Sequence, residues 1–266
     1  VYYFAGNPTD NWVEFGGFWW RIVRINGNGS IRMIYQGTNA NTTGEGTQIG
    51  TSAFNSSIDN NMYVGFKYTS GSAHGTGTNS TILTALNTWY SSNLTSYANN
   101  IDGNTGFCND RYPSTNQSSS NGQGGIGTTT TYYAAYIRLY VNKVPSFKCQ
   151  TRSDLFTGTG TSNGNETLTY PIGIISADEV SYAGGVEKVN NISYYLYSTQ
   201  NYWTMSPSYF YSWGNVAYLF YVDTNGTLTY SSSSGTLGVR PVINLKADVT
   251  ITGSGTTTDP YKVEGA

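Results

Sequence analysis

Apolar and polar positions divide the chain into short extended segments, one clear amphipathic helix and long polar connections. Val1–Phe4 reads as a brief strand. Glu14–Arg24 (EFGGFWWRIVR) and Ser30–Tyr35 read as strands joined by INGNG, a strong hairpin signal. The Gly16–Gly17 pair lets the backbone bend before Phe18, Trp19 and Trp20. In the return strand Ile31, Met33 and Tyr35 alternate with Arg32 and Ile34, as in a sheet covered mainly on one side. Residues 36–78 form a Gly-, Asn- and Thr-rich connection, with a strand expected at Met62–Phe66. Ser80 or Thr81 then caps the helix, in which Ile82, Leu83, Leu86, Trp89 and Tyr90 recur at helical spacing. A weaker continuation runs through Leu94 to Ile101.

Further along, Tyr132–Val144 fits a short helix or a strand, and the spacing of Tyr133, Ile137 and Tyr140 favours helix. Thr169–Ile175 predicts a buried strand. Ser176 caps a short helix, Ala177–Ala183, with Asp178 and Glu179 in its first turn and Gly184–Gly185 at its end. Strand-forming segments crowd the C-terminal third: Tyr194–Ser198, Tyr202–Met205, Ala217–Val222, Thr227–Tyr230 and Gly238–Leu245. Asp223–Gly226 makes a hairpin turn with Asn-Gly at its apex. In Ala217–Val222, alternation puts Ala217 and Leu219 on one face, and Tyr218, Phe220 and Val222 on the other. Which face is buried does not follow from the period. Residues 247–263 predict a small closing hairpin.

Composition narrows this to a loop-rich β or α+β protein. Charged residues are 11% and aromatics 15% of 266 residues, which is not the signature of disorder. A net charge of −2 gives no electrostatic footprint for nucleic acid. No apolar run approaches the roughly 20 residues that span a bilayer. Val1 is an improbable natural start, so a trimmed ectodomain with its membrane or cell-wall anchor removed is expected. The two cysteines, Cys108 and Cys149, would pair in such an exported chain, the alternative being two free buried thiols. A bridge would clamp the base of the low-complexity stretch 104–131, read as a mobile loop or an insertion.

Ser208–Leu237 has a character of its own. It is almost entirely Tyr, Ser, Thr, Gly, Asn and small apolar residues, and Asp223 is its one charge. Antibody combining loops use this alphabet: Tyr supplies stiff amphipathic contact area, and Ser, Gly and Asn supply adaptable hydrogen bonding. An Asn codon altered only at its two leading adenines reaches Tyr, Ser, Thr, Asp, Gly and Leu among others. It never reaches Lys, Glu, Gln, Met or Trp. Tyr209, Tyr211, Ser212, Tyr218, Tyr221, Asp223, Thr227, Thr229, Tyr230, Ser231, Ser232, Ser234, Gly235 and Leu237 all belong to the reachable set. Trp213 does not, and reads as fixed.

On these residues, and on the flanking words WTMSP and GVRPVINL, the chain resembles the variable proteins of diversity-generating retroelements, among them surface proteins of gut bacteria. The resemblance extends from FGGFWWRIVRINGNGSIRMIYQG to the end. It implies a C-type-lectin-like α+β fold, antiparallel and β-rich, with few short helices and long irregular loops. It also implies one domain over 1–266 that displays 208–237 as a ligand-binding surface rewritten by adenine-directed mutagenesis. The ligand would be a protein or a glycan, particular to each variant, met outside the cell. Phe220 and Val222 would be framework, in tension with an exposed Tyr218 unless twist or a bulge intervenes.

Chemistry adds little. Asp178 and Glu179 are explained by the helix start, and no ladder of Ca²⁺ ligands follows them. His74 stands alone in a Gly-rich stretch and reads as a solvated surface residue. Arg240 reads as a framework residue able to pair with an acid such as Glu179. No metal, cofactor or catalytic set is expected, and no nucleophile–base ordering is visible. Two other classes remain: a structural surface or pilus-tip protein, and an oxidase like the formylglycine-generating enzymes. The oxidase would need a reactive cysteine pair near the C-terminus.

Overall fold

The computed structural model describes residues 1–114, 124–159 and 163–266. Of the stretch 104–131, expected as a mobile loop or an insertion, residues 115–123 lie outside those described; the rest is held in place, with Phe107–Cys108 paired to Leu155–Phe156, Thr131 paired to Phe210, and Asn109, Asp110 and Arg111 buried. The fold is mixed α+β, built mainly of β-sheet with a few short helices.

The first sheet runs β15 (Val242–Leu245), β4 (Ile31–Gly37), β3 (Phe18–Ile25), β2 (Trp12–Phe15), β17 (Tyr261–Val263) and β16 (Ile251–Thr252), and β1 (Tyr2–Tyr3) pairs with β3. Its neighbours are antiparallel except β17 on β2. Segments from both ends of the chain thus close one sheet, and the expected C-terminal hairpin forms as β16–β17. The β2–β3 connection needs left-handed backbone at two successive residues. Gly16 and Gly17 supply it at φ 62° and 79°.

The second sheet runs β13 (Leu228–Ser232), β12 (Val216–Val222), β11 (Tyr202–Tyr211), β14 (Leu237–Gly238) and β5 (Thr51–Ser52), with β9 (Thr131–Tyr132) added to β11. Two small pairs complete the strands: β6 (Lys67–Tyr68) with β7 (Thr78–Asn79), and β8 (Phe107–Cys108) with β10 (Leu155–Phe156).

Helix α1 (Thr81–Asn93) starts where Ser80 Oγ accepts from Leu83 N at 3.2 Å. Its buried stripe is Ile82, Leu83, Leu86 and Tyr90, each Leu or Ile contributing about 1.5–3 kcal/mol. Trp89 adds ring contacts to Phe18, Trp20 and Tyr35 of the first sheet. Helix α2 (Ala177–Ala183) carries the expected cap: Ser176 Oγ accepts from Glu179 N, and Glu179 Oε2 accepts from Ser176 N at 2.9 Å. Glu179 also receives Arg24 Nε at 3.0 Å and lies against Arg32, so the cap ties α2 to the first sheet.

Several expectations are corrected. Arg240 does not pair with Glu179. Its guanidinium donates to the carbonyls of Leu196 and Tyr35 and to Gln36 Oε1, above the Tyr202 ring. Met62–Phe66 forms no strand: Asn60 caps a 3₁₀ turn over Asn61–Val64, and Asn55 Nδ2 holds the carbonyls of Tyr63 and Gly65. Thr169–Ile175 is buried at Ile172, Ile174 and Ile175 but forms no strand: it meets the first sheet by a bridge from Gly173 to Val242 and the second by Met205 N donating to Ile175 O at 2.8 Å. Tyr194–Ser198 is a turn, closed by Tyr197 N to Tyr194 O and by Tyr194 OH to Gly226 O. His74 is more than a solvated residue, because its Nδ1 lies 3.0 Å from the buried carboxylate of Asp154.

In Tyr132–Val144 the helical reading prevails, as a π-helix over Tyr136–Val141. The conflict within β12 resolves through β11, whose register against β12 shifts on either side of Pro207. Ala217, Leu219, Phe220 and Val222 are all buried, while Tyr218 and Tyr221 are partly open on opposite faces.

Candidate ligand-binding surface

The segment 208–237 covers the end of β11, the hairpin tip, β12, the Asp223–Gly226 turn, β13 and the loop into β14. Three of the predicted residues meet on one face. Tyr209 lies opposite Tyr218 across β11–β12, with ring centroids 4.7 Å apart and nearly parallel. Tyr230, from β13, sets its ring edge-on to both, at 5.0 and 5.7 Å. Strand alternation adds Ser232 to this face, opposite Tyr218.

The cluster continues beyond the segment. Tyr132 pairs with Tyr209 through β9 and stacks on it at 5.7 Å. Tyr136 touches Tyr132 and Tyr209, and Tyr140 stacks on Tyr136 at 4.7 Å. Lys188 ends the row: its Nζ donates to Tyr140 OH at 2.7 Å and lies 4.3 Å from that ring's centre. These three tyrosines were not among the predicted site residues. Their spacing of four carried the signal, but the apolar stripe drawn through Tyr133, Ile137 and Tyr140 obscured it. The structure buries Tyr133 and Ile137 and leaves Tyr132, Tyr136 and Tyr140 half-open.

The other predicted residues lie elsewhere. Tyr221, Thr229 and Ser231 alternate onto the opposite face, where Tyr221 meets the edge of buried Trp203. Gly235 belongs with them, because a side chain there would press on Ser231 Oγ. At the hairpin tip Tyr211 is 43% exposed and Trp213 87%, the most open large apolar residue described. Ser212 is tied back to Thr130. Ser234 is exposed, and Leu237 pairs with Ser52. Asp223 and Thr227 serve the turn: Asp223 Oδ1 accepts from Asn225 N and Thr227 N, and Thr227, 6% exposed, donates to Asn190 Oδ1. The fourteen positions therefore do not form one patch. They divide between a tyrosine face, its reverse, a tip and a structural turn.

Two phenols of the tyrosine face are held above the ordinary tyrosine value. Burial, with a hydrogen bond from Tyr230, pushes the Tyr209 phenol up; burial and the phenols of Tyr140 and Tyr132 push Tyr136 up to about 12. These two hydroxyls thus keep their protons and can both donate and accept. Among the described residues no group of three or more His, Cys, Asp or Glu is placed to hold a metal ion. Comparison with protein-family models, with curated proteins and with solved structures finds no match.

Proposed function

We propose that this chain is a ligand-binding surface protein of the variable class attached to diversity-generating retroelements, on a C-type-lectin-like scaffold, acting outside the cell by recognition without chemistry. The observation that carries this reading is the meeting of Tyr209, Tyr218 and Tyr230. They come from three strands, and all belong to the residues an adenine-mutated Asn codon can encode. They join a row of tyrosines that lies outside the segment. Stiff amphipathic rings of this kind give large contact area at small entropic cost. Ser232 on the face and exposed Ser234 supply adaptable hydroxyls. Partners would be proteins or glycans chosen by each variant. A bridge between Cys108 and Cys149 and the lack of any described helix able to cross a membrane are compatible with that location.

Sequencing the coding segment across many copies in the source population tests the reading. Amino-acid differences are expected to concentrate at the fourteen positions, with Trp213 unchanged. Differences spread evenly along the chain would favour a structural surface protein instead.

A further inference from the structure

A second site lies away from the tyrosine face, in a cavity of about 350 Å³ at the start of α2. Seven charged side chains line it: Arg24, Arg32, Arg138 and Lys148 against Asp110, Asp178 and Glu179. Most of their polar atoms are engaged. Arg138 donates Nε and Nη2 to the two oxygens of Asp178, at 2.9 and 2.8 Å, and Glu179 is held by Arg24, Arg32 and the Ser176 amide.

Arg32 Nε meets Glu179 only as an ion pair, and Asp110 is the less satisfied group. It is 3% exposed, in left-handed backbone at φ 43°, and its carboxylate meets Arg138 Nη2 at 2.8 Å without the alignment of a hydrogen bond. Neither of its oxygens has a hydrogen-bond partner, and neither has Arg138 Nη1. Leaving buried polar atoms without aligned partners is costly, and Asp110 Oδ1 and Arg138 Nη1 remain open to a charge-assisted bond. A buried acceptor bearing negative charge and a buried donor bearing positive charge therefore share one cavity. The unpaired atoms of Asp110 and Arg138 carry opposite charges side by side, so a ligand bearing both signs suits them. Phe147, whose ring stacks on Tyr182, adds an apolar wall.

We propose that this cavity binds a free α-amino acid, its ammonium on Asp110 and its carboxylate on Arg138 Nη1. The adjoining charges and adjacent needs of the two protein groups match a molecule whose own charges are two bonds apart. A neutral hydroxyl satisfies the same atoms only with weaker bonds. The site is independent of the tyrosine face, and either reading can fail alone.

The test is calorimetric titration of the intact chain with each of the common L-amino acids, with the N-acetyl and amide derivatives of any that binds, and with glucose. At least one amino acid is expected to saturate with Kd below about 1 mM. Each derivative, lacking one charge, is expected to bind at least tenfold more weakly, and Asp110→Asn to lose at least tenfold. Should Asp110→Asn not fold, nuclear Overhauser contacts between the bound amino acid and the Phe147 ring take its place. No saturation up to 10 mM, equal binding of the derivatives, binding of glucose alone, undiminished affinity in Asp110→Asn, or no contact to Phe147 would each overturn the assignment.

Discussion

Replacing both cysteines, Cys108→Ser with Cys149→Ser, is expected to cost about 4 kcal/mol of stability and to loosen half of the tyrosine cluster. The bridge joins residues 41 apart, and releasing a loop of that length restores about that much entropy to the unfolded chain. The second effect follows from position. Tyr132, Tyr136 and Tyr140 all lie between the two cysteines, on the segment the bridge closes. From sequence alone the bridge looks like a clamp remote from the candidate surface; the structure puts three of that surface's rings on the segment it closes. Denaturant titration measures the first effect. Amide exchange over 131–141 measures the second, and faster exchange there than in α1 is the expected result. Equal exchange in both would show that the row of rings does not depend on the bridge.

Asp154→Ala is expected to cost about 3–5 kcal/mol, a fall in Tm on the order of 10 °C. Asp154 is fully buried and accepts Arg111 Nε at 2.8 Å, Arg111 N at 2.7 Å and His74 Nδ1 at 3.0 Å. Arg111 is itself buried, donating to the carbonyls of Lys67 and Gly75. Removing the carboxylate leaves a guanidinium charge in the interior beside Phe156. The double replacement Asp154→Leu with Arg111→Met should recover much of the loss, because the buried charge goes with its partner. A single-variant loss under about 1 kcal/mol would mean that water already reaches the pair.

Low pH acts on a different carboxylate. Burial alone would raise Glu179, but Arg32, Arg24 and the Ser176 amide outweigh it and hold it below the usual glutamate range. Its folded value lies below its unfolded one. The stability it contributes is therefore present above the unfolded glutamate pKa and lost as pH falls through the folded value.

Elements set by local chemistry were legible in the sequence. The Ser80 and Ser176 caps and the Asp223–Gly226 turn each depend on a few adjacent residues, and each formed where expected; Gly16–Gly17, read as a bend within one strand, instead reverses the chain between two antiparallel strands. Segments defined only by a run of apolar residues were not legible. Met62–Phe66, Thr169–Ile175 and Tyr194–Ser198 are all buried in part, but as turns and irregular chain, because burial does not require a sheet. The candidate surface was half legible. Residue alphabet marked Tyr209, Tyr218 and Tyr230, whereas Tyr132, Tyr136 and Tyr140 reach them only through the β9–β11 pairing, a contact between distant parts of the chain. Alphabet was also silent on side. It grouped Tyr221 and Thr227 with the tyrosine face, although one lies behind the sheet and the other inside a turn.

The tyrosines are also less interchangeable than exposed residues would be. Tyr209 touches four other rings, at about 0.5–1.5 kcal/mol for each aromatic pair, whereas Tyr211 stands open at the tip. The interior is expected to tolerate exchange on this surface. A surface-displayed library measures this directly, with the fourteen positions drawn from the codon-reachable set, sorted first for folding and then for binding to an arbitrary protein such as lysozyme. Most clones are expected to fold, with free exchange at Tyr211, Ser234, Thr229 and Tyr218, enrichment of the native residue at Tyr209 and Thr227, and binders at micromolar Kd or tighter. Loss of folding in most clones, whatever the position changed, would contradict the account.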